Sequence, residues 1–273
     1  AIWVDSYSCC TETQTEGALM YIDAHSHLDK YSDDELGGVL EAIERDRILT
    51  LSVSVDRSSF ERTEAIATRS KLVVPSFGVH PEEATDYVGS LDEIRDLADR
   101  SPMLGEVGLD YRTVTDESHY PAQREVFEWF LDRARSQNKM ISVHCIGAEQ
   151  DAADLLARYG PIRAIVHWYS GPLKVLKRMI DAGLMFSVGV EVLYSDHIRS
   201  VAAAIPTDQL LTETDNPGGR RWVTGDTGYP RLISNVVDAL SDTRGVGRND
   251  LLAAIRSNLI QLVEGDDRLA PWM

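Results

Sequence analysis

The sequence predicts an α/β protein, a single (β/α)8 TIM barrel of parallel strands with an extra helix at its carboxyl end. Strand-like runs alternate with helix-like runs along the chain, which is the pattern of repeated βα units on a parallel sheet. Eight such units can be counted, and right-handed crossovers of this length close into a barrel. A barrel of about 250 residues would use nearly all of the 273 residues.

The amino-terminal half of the chain contains four strand-like runs separated by three helical patterns. Residues 33–46 illustrate the helical pattern, because apolar residues at 36, 39, 40 and 43 recur at the spacing of one helix face. The same reasoning predicts helices at 33–46, 57–70 and 90–100. Short apolar or β-branched runs predict strands at 21–24, 48–55, 72–77 and 103–104.

The carboxyl-terminal half continues the alternation. A helix over 121–137 begins at Pro121, whose missing N–H costs nothing in a first turn, and closes at Asn138. Strands are predicted at 140–143, 162–166, 184–188 and 209–212, and helices at 148–158, 172–182 and 195–204. A Gly-rich loop then leads to a helix near 229–241 and a last helix over 250–263, with Asn249 as its N-cap.

Composition restricts the class of protein. Residues 1–19 show no periodicity, so we expect a dispensable or poorly ordered leader, a single (β/α)8 domain over 20–265 and a tail over 266–273. A net charge of −17 argues against a broad basic surface that coats nucleic acid. Three cysteines without a CxxC spacing, and no long apolar run, predict a cytoplasmic protein without a membrane anchor. No obligate protein partner is indicated.

Six side chains that bind divalent cations each follow a short apolar run. The carboxyl ends of barrel strands meet at one face, so we expect all six to converge there. Two histidines in an HxH string point to the same side of an extended strand and can hold one ion together. The six candidate ligands, which predict a two-metal hydrolase, are His25, His27, Glu106, His144, His167 and Asp215.

The chemistry of this set suits hydrolysis. The carboxylate of Glu106 can bridge two cations, since it has two oxygens, and Asp215 can serve as ligand and general base. Two cations about 3.5–4 Å apart lower the pKa of a bound water and stabilise charge on the attacking and leaving oxygens. A nitrogen-rich set without thiolate favours zinc, manganese or iron, while magnesium remains compatible.

At this point the residues resemble the TatD family of metal-dependent deoxyribonucleases, in the amidohydrolase-like group of barrels. The resemblance runs from Met20 to about Val263. The matching strings are YIDAHSHLD (21–29), FGVHP (77–81), LGEVGLDY (104–111), IVHWYSG (165–171), LLTETDNP (210–217) and IRSNLIQLV (255–263).

The resemblance implies two metal ions and a nucleic acid substrate. It implies that His25, His27 and Asp215 surround one ion, that His144 and His167 surround the other, and that Glu106 is shared. It also implies hydrolysis of phosphodiester bonds, commonly as a 3′ to 5′ exonuclease on single-stranded DNA.

One departure from the family pattern concerns phosphate binding. The family usually carries an arginine two residues after the strand-five histidine, where this chain has Ile146. The loop after strand eight, NPGGRRWVTGDTGYP, places Arg220, Arg221 and Trp222 near the metals. Arginine clamps phosphate and tryptophan stacks on bases, so this is a candidate substrate loop; a solvated loop with a packed tryptophan is the alternative.

Other strand-end residues are candidates for supporting roles. Tyr111 and Arg112 are further candidate substrate contacts. His80 is a candidate catalytic residue that contacts substrate or acts as general acid, or it only donates to a neighbouring carboxylate. Glu213 is expected to orient a histidine ligand, and Cys145 to fill the core.

Two further functions remain open on sequence alone. A different hydrolase could use the same ion pair on a small phosphate ester, an amide or lactone, or an aminoacyl-tRNA ester. A non-catalytic, partner-binding subunit could keep the barrel, but a scaffold has no physical need for six convergent metal-binding groups.

Overall fold

The computed structural model describes residues 20–272, and the predicted leader lies outside this range. Within it, eight parallel strands form one sheet in the order β1 to β8, with helices around the outside. The predicted (β/α)8 barrel is therefore confirmed. The strands are β1 Tyr21–Ser26, β2 Ile48–Val53, β3 Val73–Phe77, β4 Met103–Gly108, β5 Ile141–His144, β6 Ala164–His167, β7 Met185–Val188 and β8 Leu210–Thr212.

The helices cover the outer face of the barrel and extend it at the carboxyl end. None of the helices within residues 20–272 is both long and apolar enough to cross a lipid bilayer. Their bounds are α1 Asp33–Asp46, α2 Arg57–Ala67, α3 Ala84–Tyr87, α4 Arg95–Arg100, α5 Tyr120–Gln137, α6 Glu149–Tyr159, α7 Leu173–Asp181, α8 Asp196–Ala204, α9 Gly218–Thr224, α10 Leu232–Arg244 and α11 Arg248–Val263.

Strand β8 returns to β1 and nearly closes the barrel. The hydroxyl of Thr212 donates to the carbonyl of Ile22 (2.6 Å), and the N–H of Asp215 donates to the carbonyl of His25 (2.9 Å). Nearly all strand residues are buried, as expected for parallel strands covered on both faces. The carboxyl ends of the first and last strands therefore lie side by side.

Local signals explain several helix ends. Ser32 and Glu35 form a reciprocal capping box at the start of α1. Helix α5 has a proline in its first turn and ends at Asn138 in the left-handed conformation (φ 49°), as predicted. The amide of Asn258 in α11 donates to the carbonyls of Thr207 and Leu210 (2.7 and 2.8 Å), which ties the last helix to β8.

The structure corrects several predicted bounds. Strand β4 extends to Gly108, so Glu106 lies within the strand and not after it. The segment 90–100 divides into a 3-10 helix, Leu91–Ile94, and α4. The Gly-rich segment after β8 contains α9, and the following helix begins at Leu232. Asn249 does not cap the last helix, because α11 already begins at Arg248 and its N-cap position is Gly247.

The carboxyl-terminal segment packs on the barrel. Leu269 is buried in the main apolar cluster, which lies between the strands and the outer helices. The indole N–H of Trp272 donates to the carbonyl of Val73 (2.9 Å), at the start of β3. This contact fixes the end of the described chain to the face opposite the strand carboxyl ends.

Two glycines give a test of how tightly the strand ends pack. A Cβ at Gly78 would lie 2.3 Å from the carbonyl oxygen of Glu106, whereas a Cβ at Gly38 in α1 would meet nothing within 4 Å. We expect Gly78→Ala to lower the free energy of unfolding by about 3 kcal/mol or more, because backbone must move. Gly38→Ala should raise it by about 0.5–1 kcal/mol, since alanine favours a helix. Urea denaturation measures both, and a stable Gly78→Ala variant would contradict this packing.

Candidate metal centre

The carboxylate of Glu106 lies at the centre of the carboxyl face and is 3% exposed. Its oxygen Oε1 lies 2.7 Å from Nδ1 of His144 and 2.8 Å from Nε2 of His167. Its other oxygen, Oε2, lies 3.5 Å from Nε2 of His25 and 3.3 Å from Nε2 of His27. The two oxygens therefore face two different pairs of imidazoles.

Asp215 completes the group on the Oε2 side. Its Oδ1 lies 3.3 Å from Nε2 of His27 and 3.8 Å from Nε2 of His25. The Asp215 side chain is 23% exposed, more than those of the other five candidate ligands, which range from 0 to 14%. This carboxylate thus stands at the open side of the cluster.

All six predicted ligands are brought together. The structure adds His80, whose Nε2 lies 3.6 Å from Oε1 of Glu106. Within residues 20–272, three overlapping groups have donor atoms within 4.8 Å of one another. These are His25 with Glu106 and His167, His25 with His27 and Asp215, and His80 with Glu106 and His144.

Two histidines of the cluster have pKa values above the ordinary value for imidazole. Burial, the largest effect, would lower the pKa of His27, but hydrogen bonds with Asp215 and Glu106 outweigh it and raise the pKa to about 9. Burial acts likewise on His144, and hydrogen bonds with Asp110 and Glu106 raise its pKa to about 10. Without bound cations these two imidazoles are protonated at neutral pH, so positive charge already sits on each side of Glu106.

Two other imidazoles are neutral. Burial lowers the pKa of His25 to about 4, with His167 as the next cause, and burial lowers the pKa of His80 to about 3. For Glu106, burial acts to raise the pKa, but its interactions with the surrounding histidines, including the hydrogen bond with His144, hold it well below its usual range. The central carboxylate is therefore an anion.

The residues fit a divalent cation. Nε2 of His25 is buried and forms no hydrogen bond with any of residues 20–272, while its Nδ1 lies 3.0 Å from the hydroxyl of Ser142. A ligating histidine commonly has one nitrogen fixed by a neighbour and the other turned to the metal. Imidazole nitrogens and carboxylates are also the donors that zinc and manganese accept. Cation binding would displace the protons of His27 and His144.

Two further acidic residues lie beside the imidazoles, and only Asp110 is within hydrogen-bond distance of one. Oδ2 of Asp110 lies 3.1 Å from Nε2 of His144, and the N–H groups of Arg112 and Thr113 donate to Oδ1 at 2.8 Å. Sequence reasoning gave Asp110 no role, although its place in GLDY at a strand end was the available signal. Glu213 lies 3.8 Å from Nδ1 of His167 and accepts the N–H of Trp168 at 2.8 Å.

The predicted substrate contacts lie on the segments that follow β4 and β8. Within residues 20–272, none of their side chains forms a hydrogen bond or ion pair with the six candidate ligands. Tyr111 stacks on Tyr120 (centroids 3.9 Å apart), and the Arg112 side chain is exposed. On α9, Arg220 donates to Asp226, Arg221 donates to Thr227, and Trp222 is 65% exposed. Cys145 is buried in the apolar cluster.

Asp23 is a buried carboxyl group beside the centre, in β1. It is 1% exposed and accepts the N–H and hydroxyl of Thr214 at 2.8 and 2.6 Å. Burial, the largest effect, raises its pKa to about 7 in spite of these hydrogen bonds. The folded protein therefore keeps a proton on Asp23 that the unfolded chain releases.

The parallel barrel and the convergent histidines and carboxylates define a metal-dependent hydrolase. The chain belongs to the family described as TatD related DNase, which matches it over residues 22–264. The resemblance seen in the sequence is thereby confirmed.

Known relatives cover most of the chain. The metal-dependent hydrolase MJ1582 of Methanocaldococcus jannaschii is 26% identical over 246 residues, 88% of this chain and 95% of the relative. The human deoxyribonuclease TATDN3 is 25% identical over 259 residues, 88% of this chain and 93% of the relative. The crystal structure of YJJV, a TatD homologue of Escherichia coli, superposes with a TM-score of 0.79 at 25% identity, covering 89% and 97% of the two chains.

The Asp23 carboxyl predicts a pH dependence of stability. The folded-state pKa of about 7 exceeds the ordinary 3.8, so the free energy of unfolding falls as pH rises from about 4 to about 7 and levels off above that. The shift corresponds to about 4 kcal/mol. We expect Asp23→Asn to remove this component, as measured by urea denaturation across that range with chelator present. Parallel pH profiles for the two proteins would show that the carboxyl is ionised in the fold.

Proposed function

We propose that the protein is a deoxyribonuclease that cleaves phosphodiester bonds of single-stranded DNA from the 3′ end with two divalent cations. The observation that carries the proposal is that the two carboxylate oxygens of Glu106 face different histidine pairs. One oxygen faces His144 and His167, and the other faces His25 and His27. A carboxylate with a separate imidazole pair at each oxygen suits a bridge between two ions.

Each ion would have its own ligands. His25, His27 and Asp215 would hold one ion, and His144 and His167 the other, with Glu106 shared. Zinc, manganese and magnesium are the candidate ions. When bound, such ions supply Lewis acidity that activates a water and stabilises charge on phosphate oxygens.

The chain's own residues would move and hold the protons. Asp215 is the general base in this proposal, because its carboxylate is the most solvent-accessible of the six and can pass a proton to bulk water. His80 is neutral at pH 7, since its pKa is lowered to about 3, first by burial. It therefore acts as a hydrogen-bond donor to a substrate oxygen and not as a general acid.

DNA as the substrate is supported by relatives whose names state it. The human relative at 25% identity and a Schizosaccharomyces pombe relative at 28% identity over 217 residues are both named deoxyribonucleases.

The guanidinium groups of Arg220 and Arg221, on the helix that follows Asp215, are the proposed phosphate contacts. They would take the place of the arginine that the family usually carries where this chain has Ile146.

Removing the shared carboxylate tests the two-ion proposal. We expect Glu106→Ala to lose both ions, measured by elemental analysis after dialysis, and to lower kcat on single-stranded DNA by more than about a thousandfold. Glu61→Ala, an exposed carboxylate on α2, is the matched control and should keep ions and activity. Full activity of the Glu106→Ala variant on DNA would contradict the role of the shared carboxylate. Stronger hydrolysis of a small ester than of DNA by the natural chain would move the assignment to another substrate.

The role of His80 can be separated from metal binding. We expect His80→Gln to lower kcat by about a hundredfold, the cost of losing one donor to a developing charge, while the ion content stays unchanged. Steady-state kinetics and elemental analysis on the same preparation measure both. Loss of an ion in this variant would make His80 a ligand.

A further inference from the structure

Three exposed aromatic side chains lie on segments that follow β7 and β8, whose carboxyl ends belong to the face that holds the metal centre. Within residues 20–272 seven exposed large apolar side chains are found, and three of them are aromatic. The aromatic three all follow the adjacent strands β7 and β8. They are Tyr194, Trp222 and Tyr229, at 53, 65 and 48% exposure. Because β7 and β8 are neighbours in the sheet, the three rings lie on neighbouring segments of the carboxyl face.

Two of the loops that carry these rings are joined to each other. The indole N–H of Trp168 donates to Glu191 (2.7 Å), which lies in the 3-10 helix Val190–Leu193 that ends at Tyr194. The same indole lies against α9, since a Cβ at Gly219 would come within 2.7 Å of its ring. Trp168 therefore holds the Tyr194 loop and the Trp222 helix in a fixed relation.

The third ring, Tyr229, is positioned by contacts with Tyr31 and Glu35. Tyr229 stacks on the buried ring of Tyr31, with centroids 6.0 Å apart and planes 27° apart, and its hydroxyl donates to Glu35 (3.0 Å). Tyr229 is 48% exposed in spite of these contacts. A ring that is already ordered loses little entropy when a flat group stacks on it.

We propose that Tyr194, Trp222 and Tyr229 form an aromatic track on which bases of a single-stranded polynucleotide stack as it approaches Asp215. This proposal rests on the proposed function and states where the polynucleotide binds outside the metal centre. Two observations favour a polyanion as the ligand: arginines lie next to Trp222 in the chain, and the helix that carries them follows Asp215 closely. Arg220 and Arg221 precede Trp222 on α9, and α9 begins three residues after Asp215. In a chain of net charge −17, a polyanion needs such local cations.

The track predicts an effect that depends on substrate length. We expect Trp222→Ala and Tyr194→Ala each to lower kcat/KM for an oligothymidylate of about 20 nucleotides by roughly tenfold relative to kcat/KM for bis(p-nitrophenyl) phosphate, because only the oligonucleotide reaches the rings. The loss should lie mainly in KM. Trp222→Phe should recover most of it. Ile260→Ala, an equally apolar exposed position on α11 (44% exposed), is the matched control and should not change the ratio.

A binding measurement separates the track from the proposed activity. Fluorescence anisotropy of the metal-loaded protein with a cleavage-resistant phosphorothioate oligothymidylate should show weaker binding in both alanine variants. If the natural chain binds this probe through the rings but cleaves no DNA, the proposed activity is wrong and the track stands. If the natural chain cleaves DNA and the variants bind and cleave like it, the track is wrong. Dimerisation of the natural chain through Trp222 would also overturn the track. Size-exclusion chromatography would show it as a smaller apparent mass of Trp222→Ala, with unchanged DNA binding.

Discussion

The buried carboxylate of Glu106 and the imidazoles around it are the interaction on which the site depends. Burying an anion in a barrel interior is unfavourable unless opposite charge or hydrogen-bond donors surround it. Here the compensation comes from strands far apart in sequence, since His27 follows β1 and His144 ends β5. The cluster therefore exists only when the barrel is closed, and the arrangement of the strands is also the arrangement of the site.

Protons and metal ions compete for the same positions in this cluster. His27 and His144 have raised pKa values because Asp215, Glu106 and Asp110 hold their protonated forms. A divalent cation offers those carboxylates a larger charge at shorter range, so ion binding is coupled to proton release. Affinity for the ion should rise with pH for this reason. The anions that attract the protons are the groups that would hold the metal.

One tryptophan connects two segments of the rim around the cluster. Trp168 follows His167 directly, and its indole connects the 3-10 helix after β7 with α9 after β8. One residue next to a candidate ligand thus orders the surface that bears Tyr194 and Trp222. Because the chain is strongly acidic overall, an anionic substrate would depend on local cations at this face.

The sequence by itself determined the fold class, the order of the eight βα units and the six residues that converge. These features can be predicted because they depend on local sequence patterns. Apolar periodicity indicates each element, and the strands of a parallel barrel have their carboxyl ends on one face. Only the tertiary structure decided which imidazole pair meets which oxygen of Glu106, that His80 and Asp110 join the cluster, and that the Gly-rich segment after β8 contains α9. It also moved the start of α11 ahead of Asn249. These outcomes depend on contacts between residues far apart in the chain, whose distances are set by barrel curvature and loop packing and leave no periodic trace in the sequence.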